Sequence, residues 1–164
     1  MLPTPTLHFF CGKPGAGKTT IADELVRMHD AILLSEDVWM VRLYGDQMKT
    51  FDDYIHFSRK LKTVVGPLAT QLLRAGNNVV MDFQANTSAG RGFFRSVFAD
   101  ANAAHVLHHV RASDGVCLDR IAKRNLELPE GAHHLTGEVF ARVAAYFEEP
   151  QDAEGFNIMV HGAP

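Results

Sequence analysis

The stretch Thr6-Leu7-His8-Phe9-Phe10-Cys11-Gly12-Lys13-Pro14-Gly15-Ala16-Gly17-Lys18-Thr19-Thr20 decides the fold. Its first part, Thr6 to Cys11, is a short apolar run that reads as a buried strand. From Gly12 to Thr19 the chain fits G-x-x-x-x-G-K-[ST], and an amphipathic helical pattern over 18–29 follows. Glycines there let the backbone wrap so that N–H groups converge on anionic oxygens. A helix opening at Lys18 adds the positive end of its dipole. With glycine at about 7% of residues, a chance match is on the order of one per cent or less. A turn that merely joins strand to helix has no need of Lys18 followed by Thr19. Gly12, Lys13, Pro14, Gly15, Ala16, Gly17, Lys18, Thr19 and Thr20 are therefore the candidate cradle for a nucleotide's phosphates. Lys18 is placed to reach the β- and γ-phosphates, and the Thr19 hydroxyl to ligate Mg²⁺.

Outward from this motif, short apolar runs alternate with longer helical ones. Strands are predicted at Thr6 to Cys11, Ala31 to Ser35, Asn78 to Phe83, His105 to Arg111 and Phe156 to His161. Helices are predicted over 18–29, 37–44, 53–74, 88–101, 113–125 and 136–147. That alternation predicts an α/β fold, a three-layer doubly wound parallel sheet of about five strands. The segment 53–74 carries Tyr54, Phe57, Leu61, Val64, Val65, Leu68 and Leu72 at helical spacing, a stripe that reads as core. Gly66-Pro67 inside it predicts a kink or a break. Leu126 to Leu135, with Pro129, Gly131, His133 and His134, reads as a mobile loop, and a short lid is expected over about 124–136.

The 164 residues suit one domain, expected to span 1–164. Apolar residues at 46% and charged residues at 21% describe an ordinary globule. Sixteen basic and 19 acidic residues leave a net charge of −3, which argues against coating nucleic acid through bulk charge. Cys11 and Cys117 form neither a disulfide framework nor a zinc motif. Neither a signal peptide nor a spanning apolar run is read in the sequence, so a cytoplasmic location is expected.

Several polar residues compete for chemical roles. Glu36 and Asp37 follow the second strand at the sheet edge that holds ligands in doubly wound folds. A carboxylate there could take an acceptor hydroxyl's proton, but Ser35, Glu36 and Asp37 equally suit a helix N-terminus. Asp82 closes Val79-Val80-Met81, the form of a carboxylate that acts on Mg²⁺, or else a turn cap. Arg120 and Arg124 stand four apart, as do Arg91 and Arg95. On a helix each pair shares a face, either solvated or closing over phosphoryl oxygens. Arg42, Arg91 and Asp37 are candidates for substrate contact. His105, His108 and His109 scatter over both faces of a strand, which disfavours a metal site, and His133-His134 reads as a solvent-facing pair.

The chain resembles the P-loop small kinases that include polynucleotide kinase, zeta-toxin-type kinases and gluconate-kinase-like enzymes. The resemblance runs from about Leu7 to Ile158. It rests on the P-loop, the carboxylate pair Glu36-Asp37, Asp82 followed nine residues later by Arg91, and the Arg120/Arg124 pair. The tail from Phe147-Glu148-Glu149-Pro150 to Glu154-Gly155-Phe156 is similar to the stretch closing some polynucleotide kinase domains. The resemblance implies a kinase fold using ATP and Mg²⁺, in which Asp37 orients and deprotonates an acceptor hydroxyl. It also implies a lid whose arginines, Arg120 and Arg124, clamp ATP. Polynucleotide kinases usually carry Arg just before that aspartate, where this chain has Glu36. They also carry a D-x-T-N run, where this chain has Asp82-Phe83-Gln84-Ala85. The expected reaction is therefore γ-phosphoryl transfer from ATP to a hydroxyl of a small molecule, with Lys18, Asp37, Arg120 and Arg124 as catalytic candidates. A polynucleotide 5′-hydroxyl kinase and a nucleotide-dependent switch are the rival readings.

Overall fold

A computed structural model describes residues 3–130 and 133–162. Five strands, β1 (Thr6–Cys11), β2 (Ile32–Ser35), β3 (Val79–Gln84), β4 (Ala104–Val110) and β5 (Ile158–His161), form one sheet in the order β2-β3-β1-β4-β5. Every neighbouring pair is parallel. The expected α/β sheet is thus present, with each strand end within two residues of its prediction. Central β1 is flanked by helices on both faces and is apolar almost throughout, as a doubly covered strand must be. Edge strand β5 leaves Met159 and Val160 exposed. The chain order reverses around β1, so a crevice opens beyond its carboxyl end, where the glycine-rich loop lies.

Among the described residues six helices cover the sheet: α1 (Lys18–His29), α2 (Glu36–Tyr44), α3 (Phe51–Arg74), α4 (Ser88–Ala101), α5 (Asp114–Glu127) and α6 (Gly137–Ala145). The longest, α3, starts at a capping box in which the Thr50 hydroxyl and the Asp53 carboxylate each accept the other residue's N–H. Its buried face runs through Ser58, Leu61, Val65, Ala69 and Leu73. The break considered at Gly66-Pro67 does not occur. Pro67 and Thr63 lie on the exposed face, so the carbonyl that loses its partner there meets water. Gly66 instead permits close packing, since a Cβ would sit 2.9 Å from the Phe93 ring on α4.

The two faces of the sheet are packed differently. Towards α3 and α4, Phe9 stacks on Phe94 with centroids 4.8 Å apart, within a cluster that includes Leu61, Val65, Met81 and Phe83. Towards α1 and α5 the cluster holds Phe10, Ala22, Leu25, Cys117 and Ile121. A file of imidazoles lies across the strands beside Phe10. His8 Nδ1 is 3.0 Å from His108 Nε2, and His108 Nδ1 is 2.8 Å from His161 Nε2. Burial, helped by neighbouring imidazoles, pushes His8 down to about 4 and His108 down to about 3, so both rings are neutral at pH 7. The histidines of β4 thus serve packing, and among the described residues no cluster of His, Cys, Asp or Glu could hold a metal ion.

After α6 the tail docks on α4 and β4 and makes one 3-10 turn at Asp152–Glu154. Arg91, a candidate for substrate contact, is committed here. Its guanidinium pairs with both Glu154 carboxylate oxygens at 2.7 and 2.8 Å and donates to the carbonyls of Ala85 and Glu148 at 3.0 Å. With 1% of its side chain exposed, it has no face left for a substrate, and it acts as a clamp on the tail. Glu148 Oε2 accepts the N–H of Ser88, and Glu149 pairs with Arg111. Of the expected mobile loop, Gly131 and Ala132 lie outside the described residues. α5 runs on to Glu127, and the Asn125 amide brackets Leu135 with two bonds at 2.7 and 3.0 Å.

Candidate active site at the carboxyl edge of the sheet

Three glycines bend the loop between β1 and α1. Gly12, Gly15 and Gly17 have φ of 153°, 77° and 108°. A Cβ at Gly12 would meet the Val110 carbonyl oxygen at 2.5 Å, and one at Gly15 the Cys117 carbonyl oxygen at 2.6 Å. The N–H of Gly12 donates to Asn86 Oδ1 at 2.9 Å, which pins the loop's entry to the end of β3. Lys18 Nζ folds under the loop and donates to the carbonyls of Gly12 and Lys13 at 2.5 and 2.8 Å. Burial pulls its ammonium down to about 8 against the opposing pull of Asp82. Lys13 faces outward and pairs with Asp114. The hydroxyl of Thr19 donates to Asp82 Oδ2 at 2.9 Å. Two hard oxygens side by side, next to a phosphate cradle, are a donor set suited to Mg²⁺ completed by phosphate and water. Burial raises Asp82, partly offset by Thr19 and Lys18.

Asp37 stands across the crevice. Ser35 pairs with Asp82 in the sheet, so the first turn of α2 rises beside β3's end. The adjacent carboxylates part company there. Glu36, 2% exposed, turns inward and accepts the hydroxyl of Ser58 on α3. Asp37 is pushed up to about 7, first by burial, then by Glu36 and Asp82, with Arg124 and Lys18 opposing. Ser35 makes no side-chain capping bond, so the sequence Ser35-Glu36-Asp37 is not working as a simple cap.

Of the α5 arginines, Arg120 lies on the cradle and donates to the Ala16 carbonyl at 2.8 Å. Arg124, one turn on, acts electrostatically on Asp37 and His133, and its buried Nε has no partner. Arg42 reaches from α2 to Glu130 at 2.7 Å, with both side chains more than half exposed. A cleft of about 370 Å³ opens on the far side of Arg120, lined also by Ala16, Gly17, Thr20, Ile21 and His161.

Sequence reading passed over Asn86, Tyr54 and His133. Asn86 belongs to no phosphate-binding motif, and its role appears only when β1 and β3 end side by side. Tyr54 belongs to the core stripe by spacing, yet its hydroxyl is shielded from solvent close to the acidic start of α2, and burial first, then Glu36 and Asp37, push it well above its ordinary value. His133 is not the solvent-facing residue expected. It is half-buried, its Nε2 is shielded and unpartnered, and its ring meets Tyr54 edge-on at 6.1 Å between centroids.

The model of the AAA domain family, AAA_33, matches residues 7–150. The chain belongs to this family. As an AAA domain of this kind it has a nucleotide-binding P-loop fold. Its coordinates are similar to those of a kinase described as putative from Chloroflexus aurantiacus, at 18% identity and TM-score 0.76, covering 96% of this chain and 88% of that one. They are also similar to the APS kinase of Mycobacterium tuberculosis in complex with AMPPNP and APS, at 19% identity and TM-score 0.66, covering 99% and 91%. A third match is the Pnkp1/Rnl/Hen1 RNA repair complex, at 18% identity and TM-score 0.69, covering 89% of this AAA domain and 45% of that chain. At these identities the likeness establishes a shared fold. No curated protein matches the chain. Among the described residues no helix is long and apolar enough to cross a membrane.

Proposed function

We propose that the protein is an ATP-dependent kinase that transfers the γ-phosphoryl group to a hydroxyl of a small molecule. The observation that carries this reading is Asp37. It is a half-buried carboxylate in the first turn of α2, beside the strand end that carries Asp82, with a proton affinity near neutrality. A switch that directs water has no call for a second carboxylate facing the phosphate end from α2. The solved structures of kinases with this fold, one holding a nucleotide analogue and a small acceptor, support the same reading.

In this scheme the cradle's N–H groups and Lys18 hold the β- and γ-phosphates, with Lys18 exchanging two main-chain carbonyls for phosphate oxygens. The base of the nucleotide lies in the cleft beyond Arg120. Thr19 and Asp82 would hold Mg²⁺, which when bound would offset the charge of the phosphates. Asp37 accepts the proton of the acceptor hydroxyl as that oxygen bonds to the γ-phosphorus and the bond to the β-bridging oxygen breaks. Arg120 and Arg124 offset the charge spread over the transferred group.

Asp37→Asn tests the assignment. Phosphoryl transfer should fall by about 10²- to 10⁴-fold while calorimetry finds ATP bound as before. A carboxylate near 7 must also be ionised to accept a proton, so wild-type transfer should drop about tenfold per pH unit below pH 7. Transfer by Asp37→Asn at the wild-type rate would show that another group takes the proton. The RNA repair match motivates a second acceptor, a 5′-hydroxyl oligonucleotide. Labelled transfer to one, steeply weakened by salt, would favour it over the small molecule.

A further inference from the structure

Glu36 is 2% exposed, and none of the ion pairs among the described residues includes it. Its carboxylate accepts the hydroxyl of Ser58 on α3, a bond between side chains 22 residues apart. A buried carboxylate with no cation to pair with is costly, and an apolar side chain of its size would pack there at less cost. Nor is it the solvated acid that a helix N-terminus ordinarily carries, because it is turned onto a second helix. Stability alone does not account for a carboxylate at this position.

Asp37, the next residue, does. Among the described residues no hydrogen bond holds its carboxylate, and Glu36, Asp82, Arg124 and Lys18 act on it only through space. Its aim is therefore set by the backbone that carries it, the first turn of α2. One side of that turn is fixed by β2, where Ser35 pairs with Asp82 in the sheet. Ser35 adds no side-chain cap, so the other side is tied by the bond from Ser58 to Glu36. The far end of α2 is held separately, with Tyr44 stacked on Phe57 at 4.4 Å between centroids. Without the Glu36 bond α2 would stay docked while its first turn came loose.

We infer that Glu36 is a positioning residue for phosphoryl transfer: tied to Ser58 of α3, it fixes the first turn of α2 and with it the aim of Asp37. The inference rests on the kinase reading above and deepens it. A group that does chemistry needs neighbours to lock it in place, and a displacement of about 1 Å can lower a rate by about 10²-fold. A residue that stability would replace, kept beside the proton acceptor, has the form of a trade of stability for activity.

The test compares Glu36→Gln, Glu36→Met and Ser58→Ala. Labelled γ-phosphate transfer is measured at pH 8 to glucose, myo-inositol, gluconate, glucose 6-phosphate and a 5′-hydroxyl oligonucleotide. At that pH Asp37, pushed up to about 7, is mainly ionised, so a change in rate reports its aim. Glu36→Gln keeps an oxygen for Ser58 and should retain most of the wild-type kcat. Glu36→Met keeps the bulk without the bond, and its kcat should fall about 10- to 100-fold with KM for ATP unmoved. Its melting temperature should not fall, since a helical serine can turn its hydroxyl to the carbonyl four residues back, as Thr70 does on the same helix. Ser58→Ala should lower kcat alike, and the double variant no further. Wild-type kcat in Glu36→Met overturns the inference, whether or not the protein melts early. A loss in Glu36→Gln as large as in Glu36→Met overturns it too, because the bond would not be what matters. If the wild type labels no alcohol in the panel, the kinase reading itself is overturned, and this inference falls with it.

Discussion

Two pairs of arginines share one spacing and meet opposite fates. Arg91 and Arg95 sit on α4, Arg120 and Arg124 on α5, each pair one turn apart. Arg91 finds every partner within the protein, in Glu154 and two carbonyls, while Arg95 lies 4.2 Å over the Phe156 ring. Arg120 lies on the phosphate cradle, and Arg124 keeps a buried Nε with nothing to bond. What separates them is the company they keep. The acidic tail, with Glu148, Glu149 and Glu154, folds over α4 and consumes the first pair, whereas α5 faces the crevice. A buried guanidinium whose bonds are complete holds a fold together. One whose bonds are incomplete is held ready for something else.

The largest effect expected on either side of this contrast is catalytic. Arg124→Ala should lower transfer by about 10³-fold or more, in the range of arginines that stabilise a transferring phosphoryl group. Because Arg124 Nε bonds nothing in the ligand-free protein, the melting temperature should hold. Steady-state transfer assays beside thermal melts check both halves. A variant that melts early and transfers normally would place Arg124 with Arg91.

Next in size is Arg91→Leu, which strips Glu154 of its partner and should destabilise the fold by about 3–5 kcal/mol, read from denaturant unfolding. The folded fraction should keep its kcat. Arg91 holds the Glu154 carboxyl below its ordinary value of 4.5, so that share of stability is complete above pH 4.5. As pH falls through the lower folded value it is lost, because the unfolded chain then binds the proton first. The gap between wild type and Arg91→Leu should therefore narrow in acid. A gap constant down to pH 3 would mean the ion pair is not what the variant removed.

The sheet was legible in the sequence because a parallel sheet covered on both faces writes itself as continuous apolar runs, and Val79-Val80-Met81 or Phe9-Phe10-Cys11 can be little else. The phosphate cradle was legible because its chemistry is local, with glycines, lysine and threonine all within one turn of chain. The rest of the site depends on contacts that no short window contains. Asn86 matters only because β1 and β3 end together, and Tyr54 meets His133 only after α3 and the α5–α6 connection close over α2. Glu36 and Asp37 cannot be ranked by position alone, since neighbours on a helix point about 100° apart. The fold, not the spacing, sends one to Ser58 and the other to the crevice. The same holds for the four arginines: the one carboxylate that engages any of them, Glu154 on Arg91, lies 63 residues away in the chain.

Arg95→Ala is the finest probe of the contrast. The residue is exposed, donates to the Glu154 carbonyl and stacks its guanidinium on Phe156, a ring packed edge-on against Phe9 and Phe98. An exposed cation over a ring contributes about 0.5–1 kcal/mol and a hydrogen bond to a carbonyl about as much again. The variant should thus lose roughly 1–2 kcal/mol of stability and none of its kcat. A double-mutant cycle with Phe156→Leu isolates the ring's share, because the two losses should sum to more than the double variant shows. Should Arg95→Ala instead cost a hundredfold in transfer at unchanged stability, the α4 arginines would not be structural as a pair. The tail that engages them would then have to be counted as part of the active site.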